Sequence, residues 1–321
     1  MASIQKLSPK LWVGEYLRDL IRERSGSTAK AIAATPAKTA DANTRRAQTV
    51  TDRGPTKPAD PKDGFRAVPI TSATGPLAQI KLTPNFRIMH EDPALAEKVA
   101  RIAETTRTEQ TRRWTGSAPH EEWTPRCDIY LYNDPKQFAR EHNQPEDSPG
   151  FSTMTTSGGK ISGRRLNLRA DHPNLTSAVL PHEVTHVVLA DLFPKKPVPR
   201  WADEGMAVLS EPKAEQLARA ADLEAPLASG RIFQVQQLMS MDYPDGRFWG
   251  LYYAQSVSLT QYLVSIGSPA KFIEFLKGAE KNGLEEALKR TYGIDGFAEL
   301  QRGWVDFARG PDESVADSRT R

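Results

Sequence analysis

Apolar residues recur at two different periods along this chain, and the change from one to the other predicts where strands give way to helices. Ile80, Leu82, Phe86 and Ile88 fall on alternate positions and predict a strand that opens near Ala78. Asp92-Pro93 is a helix start, and Leu95, Val99, Ile102 and Ala103 then recur at three- and four-residue intervals, the stripe of a helix buried on one side. Cys127–Tyr132 predicts a second strand and Ile161–Arg169 a third, with a short helix between them. From there to about residue 309 the periodicity is helical. Strands followed by a run of helices predict an α+β domain, in which a small mixed sheet lies beside a helical half. The third strand, the last before the helices, is expected to be a sheet edge, either covered or open to main-chain pairing with an extended peptide.

The N-terminal quarter has a different texture. Leu11, Trp12, Tyr16, Leu17, Leu20 and Ile21 define an amphipathic helix within residues 1–24, suited to packing on its own domain or docking on a partner or membrane surface. Residues 25–76 are rich in Ala, Thr, Pro and Lys and poor in large apolar side chains, so a disordered linker is expected there. The folded domain is placed at 77–309 and a disordered tail at 310–321.

Composition narrows the function classes. The chain has 321 residues, 38% of them hydrophobic and 26% charged, enough for a sizeable core. Its net charge of +3 is mild, and no basic run is interleaved with aromatics as a nucleic-acid groove requires, so no nucleic-acid partner is expected. No apolar run is long enough for a transmembrane segment, and no secretory signal is visible. The single cysteine, Cys127, excludes an intramolecular disulfide framework, and its strand context predicts a buried thiol. Gly158-Gly159-Lys160 is no phosphate loop, because Ile161 follows the lysine and Met154 stands where the first glycine belongs.

The chemistry concentrates in His182-Glu183-Val184-Thr185-His186. Two histidines four apart on a helix project from one face, with Cβ atoms about 5 to 6 Å apart, so their ring nitrogens can converge on one zinc ion. Glu183 points elsewhere on the same turn. It is better placed to accept a proton from metal-activated water than to be a ligand. Pro181 interrupts the preceding turn: either the helix starts at Pro181, or it starts near Asn174, a suitable N-cap, and kinks. A third ligand is expected from a second helix in Pro199-Arg200-Trp201-Ala202-Asp203-Glu204-Gly205-Met206-Ala207, where Glu204 lies 17 intervening residues past His186. Gly205 lowers helix propensity by about 0.8 to 1.0 kcal/mol relative to Ala, a sign of close backbone approach.

Residues 178–207 resemble the gluzincin metallopeptidases, most closely the peptidase MA-like domains, and the similarity continues more weakly to about residue 308 through Tyr253-Ala254-Gln255-Ser256 and Tyr262-Leu263. The resemblance implies zinc held by His182, His186 and Glu204, catalysis by Glu183, and a peptide or protein substrate. Thermolysin-like members carry an aspartate four residues after the liganding glutamate, where this chain has Val208; Asp203 is the candidate to support a histidine instead. All six histidines lie at or before the zinc motif, so the donor to a developing oxyanion is sought among downstream tyrosines and arginines. The family pattern favours Tyr253, with Tyr252 as its rival. The expected function is therefore a zinc-dependent peptidase, the alternative being an inactive peptidase-like binding or scaffold protein.

Overall fold

Asp92 stops the first hairpin and starts the first helix: its carboxylate accepts hydrogen bonds from the backbone N–H groups of Ala94 and Leu95 at 2.8 and 3.2 Å, and Pro93 needs no donor in the first turn. The computed structural model describes residues 79–310 except Tyr243. The expected helix within residues 1–24, the 25–76 linker and the tail from residue 311 lie outside the described residues.

The sheet has five strands where three are expected from the sequence. β1 (Gln79–Leu82) and β2 (Phe86–His90) form an antiparallel pair rather than one strand, because the chain reverses at Thr83–Phe86, where Thr83 Oγ1 accepts the Phe86 N–H at 2.9 Å. β3 (Cys127–Tyr132), β4 (Gly150–Ser157) and β5 (Lys160–Arg169) complete it in the order β1-β2-β3-β5-β4. The β2–β3 and β3–β5 pairings are parallel, and β4–β5 is antiparallel. β5 therefore sits inside the sheet, and the expectation that it forms an edge is wrong. β4 is the edge instead, joined to β5 through Gly158 and Gly159, both at positive φ, as a two-residue hairpin turn requires.

Helix α1 (Pro93–Thr115) covers the inner face of the sheet, where Ala96, Val99, Ala100 and Ala103 meet Phe86, Ile88, Cys127, Ile129, Leu166 and Leu168. Leu95 and Ile102 are only half-buried at the margin of that stripe. Cys127 is fully buried, and burial pushes its thiol well above the ordinary range, so it is a packing residue. On the opposite face the short helix α2 (Pro135–His142) closes an aromatic cluster: His142 packs edge-on against Tyr132 at 5.0 Å, Phe138 at 5.2 Å and Phe151 at 5.1 Å.

The helical half follows: α3 (Leu180–Leu192), α4 (Arg200–Val208), α5 (Lys213–Ala228), α6 (Val235–Ser240), α7 (Trp249–Ser265), α8 (Pro269–Asn282), α9 (Leu284–Tyr292) and α10 (Phe297–Arg309). Its core gathers Trp114 from the end of α1 with Trp201, Met206, Tyr252, Leu259, Phe272, Phe275 and Trp304. α3 is shared between the two cores. Leu180, Val184, Val187 and Val188 pack toward the sheet, while Leu189 belongs to the helical core. No described helix is long and apolar enough to cross a membrane.

Candidate metal centre

Pro181 is accommodated by a change of helix type. Leu175–Val179 forms a wide π-helical turn, in which the Val179 N–H reaches the Asn174 carbonyl at 3.1 Å, and regular α3 begins at Leu180. The proline then stands in the first α-helical turn, where a missing N–H costs nothing. Asn174 does not cap the helix with its side chain, contrary to expectation; its amide donates to Glu215 Oε1 at 3.1 Å on α5.

With the apolar side of α3 fixed on the sheet, His182 and His186 emerge together on the other side, their rings 4.8 Å apart. Glu204 approaches from α4. One donor atom from each of His182, His186 and Glu204 lies within 4.8 Å of the others, close enough to hold a metal ion. Glu204 Oε2 stands 3.5 Å from His182 Nε2 and 3.8 Å from His186 Nε2.

α4 is held in place by Gly205. A Cβ at that position would lie 2.2 Å from Thr260 Oγ1 and 2.7 Å from the Ser256 carbonyl oxygen, so only glycine lets α4 approach α7 this closely. Trp201, fully buried against Phe272 at 5.9 Å, anchors the same helix in the core.

The far side of each imidazole is occupied. Asp203 Oδ1 lies 2.8 Å from His186 Nδ1, and Glu211 Oε1 lies 2.7 Å from His182 Nδ1. When each Nδ1–H donates to its carboxylate, both Nε2 lone pairs are left facing Glu204. The buried Glu204 Oε2 has no hydrogen-bond partner, whereas Oε1 accepts from Arg200 at 3.2 Å. A buried carboxylate oxygen without a donor, opposite two imidazole nitrogens, is the arrangement a divalent cation completes. Electrostatics agree. Burial pushes Glu204 up, but His182, His186 and Arg200 overcome it and bring its pKa down to about 2. Burial likewise lowers His182, yet the neighbouring Glu204 carboxylate and the hydrogen bond to Glu211 raise it well above the ordinary imidazole value. Four carboxyl groups, Glu183, Asp203, Glu204 and Glu211, surround the two imidazoles, and a metal ion would take the place of the protons that these carboxyl groups draw onto His182 and His186. These residues fit such an ion.

Glu183 is buried beside this cluster and forms no hydrogen bond among the described residues, so its carboxylate is uncommitted. The two candidate tyrosines are separated by their surroundings. Tyr252 is fully buried, its hydroxyl donating to the Met241 carbonyl at 3.4 Å. Tyr253 is only partly buried, stacks on Trp249 at 5.6 Å, and has the Arg219 guanidinium 5.4 Å over its ring. Burial and then the Glu204 carboxylate raise the Tyr253 hydroxyl well above its ordinary value, with Glu183 adding to the effect and Arg200 and Arg219 opposing it. The hydroxyl is thus a protonated donor within electrostatic reach of both site glutamates.

Sequence reasoning misses Glu211. It lies between α4 and α5, and no fixed spacing links it to a histidine 29 residues earlier; only its position beside Pro212 marks it as a helix-joining residue. Val208, at the position where thermolysin-like chains carry aspartate, is fully buried in the core.

Residues 112–310 match the sequence profile of the Peptidase MA superfamily. No curated protein matches the chain.

Proposed function

We propose, for a chain that belongs to the peptidase MA superfamily, a zinc-dependent metallopeptidase of gluzincin type that hydrolyses peptide bonds in peptide or protein substrates. Its ligands are His182, His186 and Glu204. The observation that carries this reading is the buried, hydrogen-bond-free Glu204 Oε2 facing the two Nε2 atoms. A zinc ion held there supplies Lewis acidity, which polarises the scissile carbonyl and acidifies water.

The remaining chemistry belongs to the chain. Glu183, uncommitted beside the ligands, accepts the proton of the attacking water and passes it to the leaving amine. Tyr253 donates its hydroxyl proton in a hydrogen bond to the oxyanion that develops on the carbonyl. Asp203 and Glu211 hold the imidazoles in the ligating tautomer. Among the described residues β4 is a sheet edge beside α3, and its outer backbone groups would pair with an extended substrate.

The test is an unbiased peptide-library digest by wild type and Glu183→Gln, with and without chelator. Wild type should cleave and lose activity on chelation. The Gln variant should retain the metal and lose most hydrolysis, because an amide cannot take the proton. Equal cleavage by both proteins removes Glu183 from water activation, and cleavage by neither favours a binding or scaffold role.

A further inference from the structure

Arg219 is a half-buried guanidinium on α5 without an ion pair or hydrogen bond among the described residues. A guanidinium stays protonated at all ordinary pH and is normally matched by a carboxylate when water is partly removed. The acid one turn back on its own helix is turned elsewhere: Glu215 accepts from Asn174 at 3.1 Å. Among the described residues Arg219 lies over the Tyr253 ring at 5.4 Å, and that ring stacks on Trp249 at 5.6 Å. Stacking satisfies the face of a guanidinium and leaves its rim of N–H donors, the fork that grips a carboxylate with two hydrogen bonds.

The position gives this fork a use. Arg219 touches the ring of Tyr253, whose hydroxyl feels both Glu204 and Glu183, and the helix that carries Arg219 follows directly on Glu211, which lies 2.7 Å from His182. The candidate metal centre is lined by Glu183, Asp203, Glu204 and Glu211, which would repel an anionic substrate. Arg200 cannot offset that repulsion, because it is engaged with Glu204 at 3.2 Å and Asp203 at 3.5 Å. We propose that Arg219 is the specificity-determining residue of this cleft, gripping a carboxylate of the substrate, either its free C-terminus or an Asp or Glu side chain near the scissile bond. This rests on the metallopeptidase reading for its substrate class, while the carboxylate grip itself rests on Arg219 and Tyr253.

The experiment uses the full chain with paired peptides. One pair differs only in ending in a carboxylate or a carboxamide; the second series exchanges Glu for Gln at each internal position. Wild type is expected to favour the acidic member of one pair by on the order of ten- to a hundredfold in kcat/KM, mainly through KM, the range of a charge-assisted hydrogen-bonded pair. Arg219→Gln should collapse that preference toward unity, and Arg219→Lys should retain part of it, having the charge without the fork. Zinc content and melting temperature should remain at wild-type values in both variants. A preference in the terminal pair assigns the grip to a free C-terminus, and one in the internal series to an acidic side chain. Calorimetric binding of the same peptides to Glu183→Gln, with and without Arg219→Gln, reads the grip independently of turnover. If no peptide is cleaved yet carboxylate-dependent binding is lost with Arg219, the peptidase reading fails and the Arg219 assignment stands. Equal treatment of acidic and neutral peptides by wild type, or a preference that survives Arg219→Gln, overturns the assignment.

Discussion

Glu211 Oε1 lies 2.7 Å from His182 Nδ1, tying the first histidine of α3 to the segment that joins α4 and α5. Asp203 does the same for His186 from within α4 at 2.8 Å. Each of the two imidazoles that face Glu204 thus carries a carboxylate on its back, and the two carboxylates come from different elements. Glu211→Gln is expected to weaken zinc binding about 10- to 100-fold, since the neutral amide no longer favours the Nδ1–H tautomer by charge. Competition with a chromophoric chelator measures this directly; an unchanged affinity would make the contact incidental.

Removing a proposed ligand should have a harsher effect than removing its support. Glu204→Ala should purify with far less than one zinc per chain while remaining folded, because two imidazoles alone hold the ion poorly. Metal analysis beside circular dichroism checks both halves of that statement. Stoichiometric zinc in the variant would take Glu204 out of the ligand set.

Tyr253→Phe should lower turnover about a hundredfold or more at unchanged zinc content, since the lost hydroxyl is the proposed oxyanion donor. Tyr252→Phe should cost little turnover, because its hydroxyl is spent on the Met241 carbonyl at 3.4 Å inside the core. Reversed outcomes would shift the role by one residue, and indifference in both would place the donor elsewhere.

Gly205→Ala sets two effects against each other. Alanine gains about 1 kcal/mol of helix propensity. Its Cβ, however, would meet the Ser256 carbonyl oxygen at 2.7 Å, and that backbone atom cannot swing aside as a flexible side chain could. Overpacking of this kind costs about 1 to 3 kcal/mol, so the clash should win. The expected result is a lower Tm together with weaker zinc binding, as α4 retreats from α7 and carries Glu204 with it. A variant as stable as wild type, with full metal affinity, would contradict the close approach.

His142 supplies a pH dependence that can be isolated. Burial in the aromatic cluster, and secondarily the Arg165 charge, hold its pKa below the ordinary 6.5, and its Nε2 has no partner. The unfolded chain therefore binds this proton more readily than the folded one. Its contribution to stability is intact above the ordinary value and is lost as pH falls through it toward the lower folded value. Wild type should lose melting temperature relative to His142→Phe on acidification from about pH 7.5 to 5. Parallel curves for the two proteins would show that the ring is already solvated.

What the sequence discloses and what it conceals divide along physical lines. His182, Glu183 and His186 are legible because helical spacing turns sequence distance into spatial distance. Gly205 is legible because a costly residue inside a helix needs a steric reason. β4 is concealed because Gly-Phe-Ser-Thr-Met-Thr-Thr-Ser is an edge strand with no fully buried side chain, so no alternation develops. β1 and β2 merge in the pattern because the turn at Thr83–Phe86 preserves their period. Glu211 and Arg219 belong to no local motif. Each acquires its role from a partner distant in sequence, His182 in one case and Tyr253 in the other.

Because α3 contributes side chains to both the sheet core and the helical core, the helix that carries His182 and His186 acts as a common wall. Neither half can loosen without withdrawing support from one side of that wall, and the distances between His182, His186 and Glu204 depend on both. Thermal unfolding should therefore track the less durable half, and a metal ion bound as proposed to His182, His186 and Glu204 would grip α3 and α4 at once and fuse two potential melting steps into one. Such an ion would be a rivet as much as a reagent.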